Sequence, residues 1–178
     1  MKAVKNYLRS VGRQSVAMAK NTLRTKGIKG SKLEESISYK LKMDSKNWTI
    51  EFSMSDYGKF MNDGVGGNNN KPKYFIDYDG KKKKTKSKYT DKAPPVKVFE
   101  DWIKSKGIKG RDKKGRFITR KSLAFMMARS RQINGYNGLS FFTKPLSVML
   151  KKIPKELLNN IEKDFYESIK KLGKIKNK

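Results

Sequence analysis

The chain has 178 residues, a formal net charge of +28 from 44 Lys and Arg against 16 Asp and Glu, and neither cysteine nor histidine. Those two absences exclude disulfide scaffolds, thiolate nucleophiles, zinc fingers and imidazole general bases. With only 35% hydrophobic residues the chain supports one modest core, and the charge calls for a polyanion or an acidic protein surface as partner.

In chain order, Val4, Leu8, Val11, Ser15, Met18 and Thr22 recur at helical steps, which predicts an amphipathic helix from about Lys2 to Arg24, closed by Gly27. Ser36–Lys42 and Trp48–Met54 alternate apolar and polar residues around the turn formers Asp44-Ser45-Lys46-Asn47, predicting an antiparallel hairpin. Ile37, Tyr39, Leu41, Trp48, Ile50, Phe52 and Met54 then share one face, with the first helix as its cover. Ser55 can cap a short helical turn through Tyr57, Phe60 and Met61 that ends near Gly64.

From Gly66 to Pro95 the periodicity dissolves, apart from a candidate strand at Tyr74, Phe75, Ile76 and Tyr78. Gly80–Lys92 carries seven lysines and is expected to be an exposed basic loop. Val96, Phe99, Trp102 and Ile103 predict a helix stopped at Gly107, and Lys109–Arg116 a second basic turn. Thr119 caps a helix carrying Leu123, Met126, Met127, Ser130 and Ile133 up to Gly135. After the aromatic patch of Leu139, Phe141 and Phe142, a last helix starts near Thr143-Lys144-Pro145. Pro154 is expected to break or restart it, and its stripe is Leu157, Leu158, Ile161, Phe165, Ile169 and Leu172. Gly27-Ile28-Lys29-Gly30 recurs as Gly107-Ile108-Lys109-Gly110, read as repeated turn chemistry rather than duplication.

No run of about 18 apolar residues is present, so no membrane span is expected. Met1–Lys5 lead into the amphipathic pattern rather than a secretory h-region, so a cytosol-like compartment is expected.

Catalytic constellations are hard to assemble from this chain. Glu34 and Glu35 are adjacent and, on a strand, face opposite ways. Glu51, Asp56 and Asp63 are the one candidate set for a divalent ion, against a simpler reading of Asp56 and Asp63 as helix and turn stabilisers. Gly64-Val65-Gly66-Gly67 precedes no helix and is read as a turn, not a phosphate cradle. Lys71-Pro72-Lys73-Tyr74-Phe75 interleaves cations with aromatic rings, the pattern of a single-stranded nucleic-acid platform, though without an accompanying strand motif. Thr119–Phe142 is too glycine-interrupted for a helix-turn-helix. Only eight of the basic residues are arginine, and lysine, a mobile point charge, suits diffuse attachment better than base reading.

Two stretches carry a resemblance. Leu33-Glu34-Glu35-Ser36-Ile37, a strand, and then Asp56-Tyr57-Gly58-Lys59-Phe60-Met61-Asn62-Asp63-Gly64-Val65-Gly66-Gly67 is similar to a signature of tail-completion and head–tail joining proteins of tailed bacteriophages. Gly115-Arg116-Phe117-Ile118, the helix through Arg129, and Phe141-Phe142-Thr143-Lys144-Pro145-Leu146 resemble that family's ending. The likeness spans about residues 1–150; the lysine-rich insertion at Gly80–Lys92 and the helix after Pro154 depart from it. The resemblance implies a small α+β domain with a curved sheet around a helix, forming a homo-oligomeric ring at the neck or tail of a virion. Assembly would take place in the host cytoplasm, against portal, adaptor or other tail proteins, with nonspecific contact to genomic DNA.

The resulting expectation is an α+β protein with a long N-terminal helix packed on a small antiparallel curved sheet, a helical C-terminal half and long basic loops. Residues 1–150 form one connector-like domain and 151–178 a helical extension. The chain is expected to be a structural protein and not an enzyme, with no cofactor, no metal and no membrane partner. Lys81, Lys82, Lys83, Lys84, Lys86, Lys88, Lys92, Lys113, Lys114 and Arg116 are the expected contacts with DNA or an acidic partner. Tyr57, Phe60, Phe141 and Phe142 are the expected core or interface anchors. The alternative is a nonspecific nucleic-acid-binding protein that packs DNA or travels as virion cargo.

Overall fold

Residues 2–44 and 47–175 are described in the computed structural model, with side chains as far as Lys170. Met1, the turn residues Ser45 and Lys46, and the side chain of Leu172 thus lie outside the described residues. The protein is α+β, in the order α1 (Lys2–Thr25), α2 (Lys32–Ser36), β1 (Ser38–Met43), β2 (Trp48–Ser53), α3 (Tyr57–Asp63), β3 (Gly64–Gly66), β4 (Tyr74–Ile76), β5 (Lys82–Lys84), α4 (Val96–Lys106), α5 (Arg120–Asn134), β6 (Gly135–Asn137) and α6 (Thr143–Ile175). Instead of one sheet, the described residues form three two-stranded ones, β1–β2, β3–β6 and β4–β5. The chain divides into two units. The first holds residues 1–62, 76–81 and 140–178, the second 63–75 and 82–139.

In the first unit α1 buries Val4, Val11, Ser15, Ala19 and Leu23. The antiparallel register sets Tyr39 opposite Phe52 and Leu41 opposite Ile50, so the apolar side chains do share a face, and α1 packs against this hairpin. Gly12 makes the approach feasible, because a Cβ there would fall 2.3 Å from the Tyr39 ring, whose hydroxyl donates to the Arg9 carbonyl. Between α1 and β1 the chain forms a helical turn where a strand was expected. Ser31 caps α2 by accepting from the Glu34 amide at 3.2 Å, the first half of a capping box. Glu34 is buried and accepts from Arg24 Nε and, at 2.7 Å, from the Gly30 amide. The Arg24 guanidinium first, then that amide, hold its carboxyl below the usual range.

α6 runs unbroken through Pro154 and lies antiparallel along α1. Ser15 Oγ donates to Met149 Sδ, Tyr7 bonds Glu156, and the Asp164 carboxylate accepts the Ala3 and Val4 amides at 2.9 and 3.0 Å. Asp164 therefore caps α1, and those amides keep its carboxyl below the usual range. The break expected at Pro154 does not occur because the lost hydrogen bond would involve the Leu150 carbonyl. Leu150 and Pro154 are both exposed, so water can take that bond while α1 holds the neighbouring turns.

The start of α6 is fixed by a residue distant in sequence. Asn62 is buried at the end of α3; its Oδ1 accepts the Phe142 and Thr143 amides at 3.0 and 3.3 Å, and its Nδ2 donates to Thr143 Oγ1 at 3.2 Å. Thr143 Oγ1 in turn donates to the Ile76 carbonyl, and the Ser140 amide to the Asn62 carbonyl. Asn62→Ala leaves two buried amides without their acceptor and is expected to lower the unfolding free energy by about 1–3 kcal/mol in urea titration. An unchanged midpoint would show that the amides find another acceptor.

The second unit is built on α4, α5 and close backbone contacts, with Val65, Ile103, Ala124 and Ala128 buried. α5 turns its alanines inward; Met126 and Ile133, expected on its buried stripe, are exposed, and Leu123 and Met127 are partly covered. Gly64-Val65-Gly66 is not a turn but β3, paired antiparallel with β6. At Gly67 a Cβ would meet the Ile133 carbonyl oxygen at 2.2 Å, and at Gly135 (φ +63°) the Val65 oxygen at 2.2 Å, so the glycines serve backbone approach. The recurring Gly-Ile-Lys-Gly motif is one helix stop used twice. Ile28 and Ile108 donate their amides to the Leu23 and Ile103 carbonyls around left-handed Gly27 and Gly107.

Candidate docking surface: a lysine row on an extended segment

Gly80–Lys92, expected as an irregular loop, is ordered over most of its length. Lys82–Lys84 form β5 against β4, and the Thr85 amide continues the ladder to the Lys73 carbonyl at 2.8 Å. Gly66 and Lys88 then form a parallel bridge, with Gly66 N donating to Ser87 O at 2.8 Å and Tyr89 N to Gly66 O at 2.9 Å. The reason is backbone satisfaction: a segment laid against other chain needs partners for its N–H and C=O groups, and the β3 edge supplies them.

Pairing imposes alternation. Thr85, Ser87 and Tyr89 turn inward; Thr85 Oγ1 donates to the Gly64 carbonyl at 2.8 Å, and Tyr89 hydrogen-bonds Tyr136. Burial pushes the Tyr136 hydroxyl up to about 12, and Arg131 lies 5.4 Å from its ring centroid. Lys84, Lys86 and Lys88 occupy the alternate, outward positions, exposed and about 6.7 Å apart for an extended backbone. Lys82 Nζ sits 4.5 Å above the Tyr74 ring, and Lys88 Nζ donates to Asn70 Oδ1 at 2.8 Å. Lys83 and Lys92 are exposed in the same unit. Lys81 belongs to the first unit, where the Asp77 amide bonds its carbonyl in a tight turn.

The second basic segment is a locked turn. Asp112 Oδ1 accepts the Lys114 and Arg116 amides, both at 2.9 Å, and its Oδ2 accepts Arg116 Nε at 2.9 Å. The Arg116 amide, then its side chain, hold the Asp112 carboxyl below the usual range. Arg116 is thereby partly neutralised, whereas Lys113 and Lys114 project into solvent. Arg111 stacks 3.9 Å from the Phe117 ring centroid. An open cleft of about 320 Å³ beside it is lined by Ile108, Gly110, Phe117, Ile118 and Leu123 together with Lys109 and Arg120.

The four expected anchors divide. Phe141 and Phe142 are buried in the first unit, Phe142 meeting Phe52 edge-on at 5.1 Å. Tyr57 and Phe60 are nearly half exposed on α3, so the core reading does not hold for them. Among the described residues no three acidic side chains converge as a metal site would require; Glu51 pairs instead with Lys42 at 2.6 Å. No described helix is long and apolar enough to cross a membrane. Asn62 was not singled out from sequence, and no local signal marks it. The lysine row did carry a signal, the alternation Lys84-Thr-Lys86-Ser-Lys88-Tyr, masked by the density of lysine around it.

No protein-family model, no curated protein and no solved structure matches this chain.

Proposed function

We propose that the chain is a structural subunit of a tailed-phage particle, forming a ring at the head–tail connector, neck or tail and docking on acidic surfaces of portal, adaptor or tail proteins. The observation that carries the docking role is the Lys84–Lys86–Lys88 row, held outward on an extended segment whose inward residues are hydrogen-bonded into the unit. A row on fixed backbone loses less entropy on binding than the same charges on a loose loop. The placement in a virion rests on the sequence resemblance, with the long helix over an antiparallel hairpin in support. The role proposed is attachment without catalysis.

Light scattering on the purified chain, at low and high salt and with and without duplex DNA, tests this reading. A defined ring in high salt without DNA is the expected result. A species that never exceeds a dimer and gains mass only on DNA, with affinity collapsing as salt rises, would favour a nonspecific nucleic-acid-binding protein instead.

A further inference from the structure

The run from Lys104 to Lys121 carries nine lysines and arginines against a single carboxylate, Asp112, a net +8. Asp112 is engaged inside the run, on the Lys114 and Arg116 amides and on Arg116 Nε. Set into this basic surface is an exposed ring that cannot swing freely. Arg111 and Phe117 face each other as the non-hydrogen-bonded pair of a short antiparallel hairpin. The Ile118 amide donates to the Gly110 carbonyl on one side of that pair, and the Asp112 amide to the Arg116 carbonyl on the other, at 3.1 and 2.8 Å. The Arg111 guanidinium stacks on the Phe117 ring, and its Nη1 donates to the Gly115 carbonyl at 2.7 Å. Phe117 is thus 62% exposed and held in place. It forms one wall of the 320 Å³ cleft, with Ile108, Ile118 and Leu123 as further apolar walls and Lys109 and Arg120 as its cations. We propose that this cleft takes one bulky apolar side chain, phenylalanine- or leucine-like, from an acidic segment of a partner protein, whose flanking carboxylates meet Lys109 and Arg120.

Three features select that occupant. The charge of the run favours an anionic partner and disfavours a second copy of so basic a chain. The volume is at the low end of ligand clefts, about 300–1,000 Å³, which gives room for a side chain or two and not for a helix. The chemistry of the walls separates a protein segment from a nucleotide. Lys109 and Arg120 only donate hydrogen bonds, and the other lining side chains carry no hydrogen-bonding group. The Gly110 carbonyl is already taken by the Ile118 amide. A nucleobase stacked on Phe117 would therefore find no side-chain acceptor for its own N–H groups, whereas an apolar side chain needs none. A ring fixed before binding also loses little freedom when it is covered. The site adds a second docking point to the unit that carries the Lys84 row and depends neither on that row nor on a ring.

Two fluorescein-labelled peptides, Glu-Glu-Asp-Phe-Asp-Glu and the same sequence with alanine for phenylalanine, test this on the full chain by anisotropy near physiological salt. The parent is expected to bind the phenylalanine peptide about tenfold more tightly than the alanine peptide. In Phe117→Ala, and independently in Ile108→Ser, that preference should fall to less than about twofold. Lys109→Gln with Arg120→Gln should weaken both peptides by about tenfold and leave their ratio standing. Equal binding of the two peptides by the parent would show diffuse attraction only and overturn the proposal, as would a preference that survives both apolar variants. A single-stranded oligothymidylate whose affinity drops about tenfold in Phe117→Ala would reassign the cleft to nucleic acid and overturn it too. None of these outcomes bears on ring formation, so the two readings fail separately.

Discussion

Neutralising Lys84, Lys86 and Lys88 together as glutamines is expected to weaken binding to an acidic partner by about a hundredfold near physiological salt, with the fold intact. The three side chains are exposed, and the hydrogen bonds that place them come from the backbone and from Thr85 and Tyr89, so glutamine leaves the scaffold as it is. Each lysine acting on an anionic surface contributes about 1 kcal/mol, and three acting from one row approach the factor stated. A short DNA duplex serves as a defined polyanion. If all three lysines sit on phosphates, the slope of log K against log salt should become shallower by about 2.7, from 0.9 per phosphate. Circular dichroism of the variant should match the parent. Unchanged affinity and slope would remove the row from the docking surface and shift attention to Lys113 and Lys114 on the Asp112-locked turn.

Phe141→Ala is expected to be the most damaging single truncation in the first unit, at about 3–5 kcal/mol. Phe141 is fully buried and lies next to Phe142, which packs on Phe52 of the hairpin. It also lies inside the segment whose amides Asn62 accepts, so a cavity there loosens the start of α6 as well as the core. Tyr57→Ala and Phe60→Ala, on the exposed face of α3, should change stability by under about 1 kcal/mol. Denaturant midpoints of the three variants make the comparison. A small loss for Phe141→Ala would mean that the neighbouring side chains collapse into the space.

Much of the fold was legible because local periodicity is a local property. The steps from Val4 to Thr22, the alternation of both hairpin strands and the caps at Thr119 and Gly107 each announce an element within a few residues of themselves. The misreadings share a cause. Glu34 and Glu35 were weighed as strand residues although Ser31 and Glu34 stand at capping-box spacing. On α5 the bulkier Met126 and Ile133 suggested the inner face where Ala124 and Ala128 hold it, because close helix contact favours small side chains over hydrophobic ones. On α6 the expected stripe merged two rows, one turned toward α1 and one left open.

By itself the sequence determined the class of fold, α+β from its periodicities, and a net charge of +28 carried mostly by lysine over a small apolar complement. Only the tertiary structure decided which lysines form an outward row, that Asn62 caps a helix some 80 residues further on, that Pro154 leaves α6 unbroken, and that one face of α6 remains uncovered. The physical reason is range. Propensity, capping and charge act over a few residues, whereas strand pairing and helix packing join segments whose separation along the chain leaves no mark in either one.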